Sequence, residues 1–269
     1  MNILNIPFLY DLPIWIDGAL FVAVMLVALE IGFRVGLRKR EALRDEDVSM
    51  SNVVVTSFLA TFGLILAFTY AFTVSRADLR KHVLADEANA IGTAFLRAGL
   101  VPNPESAELK KALLEYARTR VMTSETLSSR AKFNETIRRT VEAEAKLWPI
   151  TERIVKSRPP DPIGASLVTA INEVLDMHTT RLATGFDRLP HVILLMLLLI
   201  SAVSLFIAGF NAGLSGLFSR WRMTALAFVF ALVIFIIIDF DYPQQGFIRI
   251  NQQALQSTIA DMESNLSNK

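Results

Sequence analysis

The sequence predicts an all-α membrane protein in which two pairs of transmembrane helices bracket a helical extramembrane domain. Three observations carry this. Four apolar stretches, Leu12–Phe33, Val53–Val74, Val192–Phe210 and Met223–Phe240, approach or reach the ~20 residues a helix needs to cross hydrocarbon. The segment between the second and third is charged and carries the helical period. No strand-type alternation competes with it anywhere. A backbone in lipid must satisfy its own hydrogen bonds, so the four stretches are helices.

The first span is bounded by Trp15, an aromatic suited to the membrane interface, and by the basic cluster Arg34, Arg38, Lys39, Arg40 and Arg44. No Lys or Arg precedes it, so it lacks the basic flank of a cleaved signal and is expected to persist as a helix. Asp17 and Glu30 lie near its ends. Gly32 and Gly36 have the small-xxx-small spacing of close helix contacts, and the same pair reads equally as a tight bend at the surface. From Ser51 to Ala98 there is no proline, and Leu79, Val83, Ala88, Ile91 and Phe95 continue a helical period past the membrane. The spacing predicts one unbroken helix, about 70 Å long at 1.5 Å per residue. Gly99, Pro102 and Pro104 end it.

The middle region predicts one helix from near Pro104 with Leu109, Leu113, Tyr116 and Val121 on a stripe. A second carries Phe133, Ile137, Val141 and Trp148 and meets Pro149. After the loop SRPPDPIG, Ser157–Gly164, a third carries Leu167, Ile171, Leu175, His178, Leu182 and Phe186. Asn211–Arg222 turns the last hairpin. The expected division is 1–75 for the first transmembrane pair, 76–189 for the helical domain, 190–240 for the second pair and 241–269 for a polar tail.

Composition narrows the function classes. The 269 residues are 52% hydrophobic with a net charge of +1, so no global field recruits nucleic acid. Absence of cysteine excludes thiol chemistry and disulfides, and three histidines leave few metal ligands. No nucleophile elbow, P-loop, zinc pattern or dinucleotide fingerprint is present, so neither an enzyme nor a cofactor is expected.

Three constellations stand out. On a helical wheel the second span separates a small-residue seam, Ala60, Gly63, Ala67 and Ala71, from a sector of Phe58, Thr61, Phe62, Phe68, Thr69, Phe72 and Thr73. The seam suits helix packing. The sector reads either as a pathway with an apolar gate, Phe62 included, or as lipid-facing rings beside threonines bonded to their own helix. In the domain, Glu87, Asn89, Arg97, Asn172, Glu173, Asp176, His178 and Arg181 form the candidate polar network. His178 stands about 160° round the helix from Asp176, a poor metal spacing, so ion pairs with Arg97 or Arg181 are the better reading. At the end of the fourth span, Asp239 and Asp241 mark either a cation-attracting mouth or an interfacial boundary. Gln244, Gln245 and Arg249 belong to a polar cluster expected to dock the tail on the domain.

Four spans place both termini and the domain on one side. The two loops on the other side hold seven basic residues, the five above with Arg220 and Arg222. Arg76, Arg80, Lys81, Arg181, Arg188 and Arg249 flank the domain side over more sequence. That count leans towards a non-cytoplasmic domain.

EANAIGTAFLRAGLVP (Glu87–Pro102), LLEYARTRV (Leu113–Val121), INEVLDMHTTRL (Ile171–Leu182) and DFDYPQQGFIRI (Asp239–Ile250) together resemble the bestrophin-like family of bacterial membrane proteins of unknown function. The layout is similar too. The resemblance implies a distant relation to bestrophins, pentameric anion channels whose pore is built from the second transmembrane helix and whose helical domain is cytosolic. It implies a bacterial inner-membrane, homo-oligomeric ion channel, with the bilayer and inorganic ions as partners and a pentamer if the relation holds. The rival reading is a non-conducting scaffold or sensor whose helical domain binds a partner or ligand.

Overall fold

The computed structural model describes residues 14–40, 45–123, 126, 130–215, 220–241 and 250–268. Every long regular element among them is a helix: α1 (Ile14–Lys39), α2 (Asp45–Ala98), α3 (Glu105–Thr119), α4 (Arg130–Glu144), α5 (Leu147–Lys156), α6 (Pro162–Phe186), α7 (His191–Ser215), α8 (Arg220–Asp241) and α9 (Gln253–Ser267). Helices α1, α2, α7 and α8 are long and apolar enough to cross a membrane. The chain divides into a unit of Met1–Arg76 with Arg188–Ile248 and a unit of Ala77–Asp187 with Arg249–Lys269.

In the first unit, α1 and α7 meet backbone to backbone. A methyl group on Gly32 would stand 2.0 Å from the Phe206 carbonyl oxygen, and one on Gly209 would stand 2.2 Å from that of Leu29. Gly36 and Gly213 repeat the contact one turn on. Two small-xxx-small pairs therefore face each other, and the spacing at Gly32 and Gly36 serves close packing within α1 rather than a bend. Apolar side chains have no hydrophobic drive to associate inside lipid, so this approach, with its dispersion and Cα–H···O contacts, holds the pair together. Phe21, Met25 and Leu29 of α1 pack into a buried cluster with Leu197 and Leu205 of α7 and Ala231 and Ile234 of α8. Asp241 closes α8 by accepting the Leu189 N–H, at 2.9 and 3.1 Å to its two oxygens. Asn211 is helical and buried in α7, so the last turn begins later than the sequence predicts.

Helix α2 is α-helical at every residue from Asp45 to Ala98, 54 in all. The uninterrupted second helix is present, and begins six residues before Ser51.

In the second unit, the faces predicted for α2, α3 and α6 converge on one core containing Ile91, Phe95, Leu109, Leu113, Leu167 and Ile171, while Leu79 of the predicted α2 face is exposed. Helix α6 starts on Asp161, whose side chain accepts the Gly164 N–H at 2.5 Å, with Pro162 at the first position, where no hydrogen bond is lost. The predicted Phe133–Trp148 helix is two. Pro149 is not where a helix stops; it occupies the third position of α5, because the turn at Ala145 and Lys146 removes the preceding bonds it would break. The buried stripe correspondingly runs through Thr140, Ala143, Leu147, Thr151 and Ile154, while Val141 and Trp148 face outward. Helix α9 inserts Leu255 and Met262 into the same core. Its approach is fixed by Gln252, whose amide accepts the Met122 N–H at 2.8 Å and donates to the Met122 carbonyl at 2.6 Å.

Candidate functional site

The candidate pathway lies on the membrane half of α2. Phe62 is fully buried and meets the Phe230 ring of α8 edge-on, with centroids 4.9 Å apart. Leu66, Thr69 and Thr73 share that inner face, since steps of three and four residues return to one side of a helix. Phe58, Thr61, Phe68 and Phe72 are exposed. The sector predicted as one surface is therefore split. Phe62, Thr69 and Thr73 turn into the chain's own bundle, which corrects the placement of Phe62 in a gate. The hydroxyls of Thr61, Thr69 and Thr73 donate to the carbonyls of Ser57, Ile65 and Thr69 at 2.8–2.9 Å, as the intrahelical reading predicts. Ala60, Gly63, Ala67 and Ala71 are all exposed, and a methyl group on Gly63 would meet nothing within 4 Å. Arg76 lies over the Phe72 ring at 5.2 Å. Of the four spans α2 is the least covered, with 17% of its most apolar window buried against 28–39% in the others.

The second constellation is a buried charged cluster in the helical domain. Glu87 of α2 is fully buried. It accepts from Arg120 Nε at 2.5 Å through one oxygen and from Arg181 Nη1 of α6 through the other. Arg181 also donates to the Arg120 carbonyl at 3.1 Å, which holds the end of α3. The Arg120 guanidinium lies 5.8 Å from the Tyr116 ring. Tyr116 is 3.4 Å from His178 Nδ1, and the same nitrogen is 3.4 Å from Glu144 Oε2 of α4.

Burial, then repulsion from Arg120, lowers the His178 pKa to about 4, so the imidazole is neutral at pH 7. The His178–Glu144 contact is then no ion pair. As an N–H, Nδ1 donates to Glu144; as a bare nitrogen it accepts from Tyr116. Burial pushes the Glu144 carboxyl and the Tyr116 hydroxyl upward, opposed in both by Arg120. It also pulls Arg181 downward against the attraction of Glu87. The two guanidiniums and one carboxylate at the centre are a structural lock: every charge is desolvated and paired.

Of the predicted network, Glu87, His178 and Arg181 come together. Asn89, Asn172, Glu173 and Asp176 point to the surface, and Arg97 instead donates to the Ser166 carbonyl at 2.9 Å. Among the described residues no group of three or more acids or histidines is placed to hold a metal. Sequence reasoning missed Arg120, Tyr116's polar role and Glu144. The signal for Arg120 was present, because Leu109, Leu113, Tyr116 and residue 120 step along one stripe, and an arginine on a buried stripe demands an acid. Asp239 and Asp241 are 2% and 1% exposed within the first unit, which places them at no open mouth. Gln244, Gln245 and Arg249 lie outside the described residues.

A match to the Bestrophin-like domain covers residues 19–255. The chain belongs to the Bestrophin-like family. The crystal structure of a bacterial Bestrophin homolog from Klebsiella pneumoniae is 13% identical, with a TM-score of 0.59 over 92% of this chain and 97% of that one. A variant of that homolog, 12% identical, gives 0.59 over 92% and 98%. A crystallised membrane protein, 13% identical, gives 0.54 over 92% and 97%. At such identities these likenesses describe the fold alone. No curated protein matches the chain in sequence. The Bestrophin-like fold and the four candidate spans make this an integral membrane protein.

Proposed function

We propose that this Bestrophin-like protein assembles with copies of itself in the bacterial inner membrane and conducts inorganic ions, anions by relation to bestrophins, with α2 beside the pathway. The observation that carries this reading is the low coverage of α2. It buries one narrow face in its own chain and leaves a small-residue seam and a phenylalanine-threonine stripe outward. Small residues let neighbouring backbones approach in lipid, so the seam of Ala60, Gly63, Ala67 and Ala71 is assigned to contacts between copies. Thr61, Phe68 and Phe72, with Phe58 at the margin, then flank the conduit. The positive edges of such rings tolerate an anion in a dehydrated constriction. The unbroken course of α2 supplies a route by which the helical domain acts on the conduit.

Reconstitution into planar bilayers under a chloride gradient tests this. Currents reversing near the chloride equilibrium potential are expected, and Phe68→Ala is expected to raise conductance. Silent membranes across pH, calcium and voltage would overturn the reading. A non-conducting sensor is the second reading, favoured by the exposed Leu96 on the domain part of α2 and the exposed Leu100 in the turn that follows it.

A further inference from the structure

We propose that the Arg34 end of α1 binds one phosphatidylethanolamine molecule, with the phosphate on Arg34 and the ammonium on Glu30. The outward face of α1, opposite the glycine contact, carries a shallow groove of about 280 Å³ lined by Leu26, Val27, Glu30, Ile31 and Arg34. Val27 and Ile31 are 56% and 49% exposed, so they give an acyl chain an apolar track. One turn further on, the track meets two charges.

Arg34 Nε donates to Glu30 Oε1 at 2.7 Å, and both side chains remain largely exposed, at 69% and 44%. The pair leaves the terminal nitrogens of Arg34 and the second oxygen of Glu30 without a partner among the described residues. Glu30 lies one turn inside the basic cluster of Arg34, Arg38, Lys39 and Arg40, the depth at which cationic side chains reach headgroups. A carboxylate facing lipid one turn below that level is costly unless its free acceptor is used. A headgroup carrying both a phosphate and a hydrogen-bonding ammonium completes donor and acceptor together. A choline headgroup has a quaternary nitrogen without a proton and completes only the phosphate half. An acidic headgroup without an ammonium would bring its phosphate against Glu30.

The test is native mass spectrometry of the delipidated full chain after incubation with equimolar dioleoyl phosphatidylethanolamine and dioleoyl phosphatidylcholine. The wild type is expected to retain the ethanolamine lipid about tenfold over the choline lipid, the discrimination given by one charge-assisted hydrogen bond. Glu30→Gln is expected to bring the two lipids to parity, and Arg34→Gln to reduce retention of both. Both residues are exposed, so neither variant threatens the fold. Equal retention by the wild type would overturn the proposal, as would a preference that survives Glu30→Gln. Val27→Trp adds a control: a changed oligomer mass with an unchanged lipid count would show that a second copy covers this face, and would sink the assignment.

Discussion

Replacing Glu87 by glutamine tests whether the buried cluster is a lock. The substitution keeps the volume and removes the one carboxylate that, among the described residues, touches both Arg120 and Arg181. The amide oxygen can still accept from one guanidinium, but its NH2 then faces the donors of the other. Two unit charges with centres about 4 Å apart interact by about 4 kcal/mol at an effective dielectric of 20. Breaking a buried pair by removing one partner costs about 3–5 kcal/mol, because the surviving charges stay desolvated. Set against roughly 5–15 kcal/mol of total stability, that loss lowers the melting temperature by on the order of 10 °C or more. The assay is thermal unfolding of purified protein in detergent, followed by circular dichroism. Arg138→Gln, which removes a fully exposed ion pair with Glu135 and Glu142, is the control and should leave the transition in place. The double variant Glu87→Gln with Arg181→Met should recover part of the loss, since it discharges one stranded cation. A Glu87→Gln protein that melts with the wild type would refute the reasoning.

Gly209→Ala drives a methyl group to 2.2 Å from the Leu29 carbonyl oxygen and should cost about 1–3 kcal/mol, seen as a lower melting point, whereas Gly63→Ala should not weaken the single chain. A smaller oligomer mass for Gly63→Ala would tie the seam to contacts between copies. His178 has a folded pKa lowered from 6.5 to about 4, so the unfolded chain binds the extra proton and stability falls as pH drops from about 6.5 to about 4. Glu144, shifted upward, opposes this, so the slope of unfolding free energy against pH should be shallower in His178→Gln than in wild type. Phe62→Ala should lower stability by about 3–5 kcal/mol and leave single-channel conductance unchanged, because its ring fills the bundle against Phe230. Raised conductance would return Phe62 to the conduit.

The sequence by itself determined the class of fold, the four spans and the continuity of α2. Each follows from local quantities: apolar length, helical period, and where Gly and Pro fall. It also flagged Glu87, His178 and Arg181, among eight polar residues of the domain motifs. It did not decide which partners. Gly209 and Gly213 acquire meaning only opposite Gly32 and Gly36, and Arg120 only opposite Glu87, 33 residues away. The wheel placed Phe62 among the pathway rings because a wheel defines faces without saying which one a neighbouring helix covers. Tertiary packing decided that Phe62 looks inward and Phe68 outward. Rotation of a helix about its own axis is fixed by the elements it meets, and no pattern within the helix contains them.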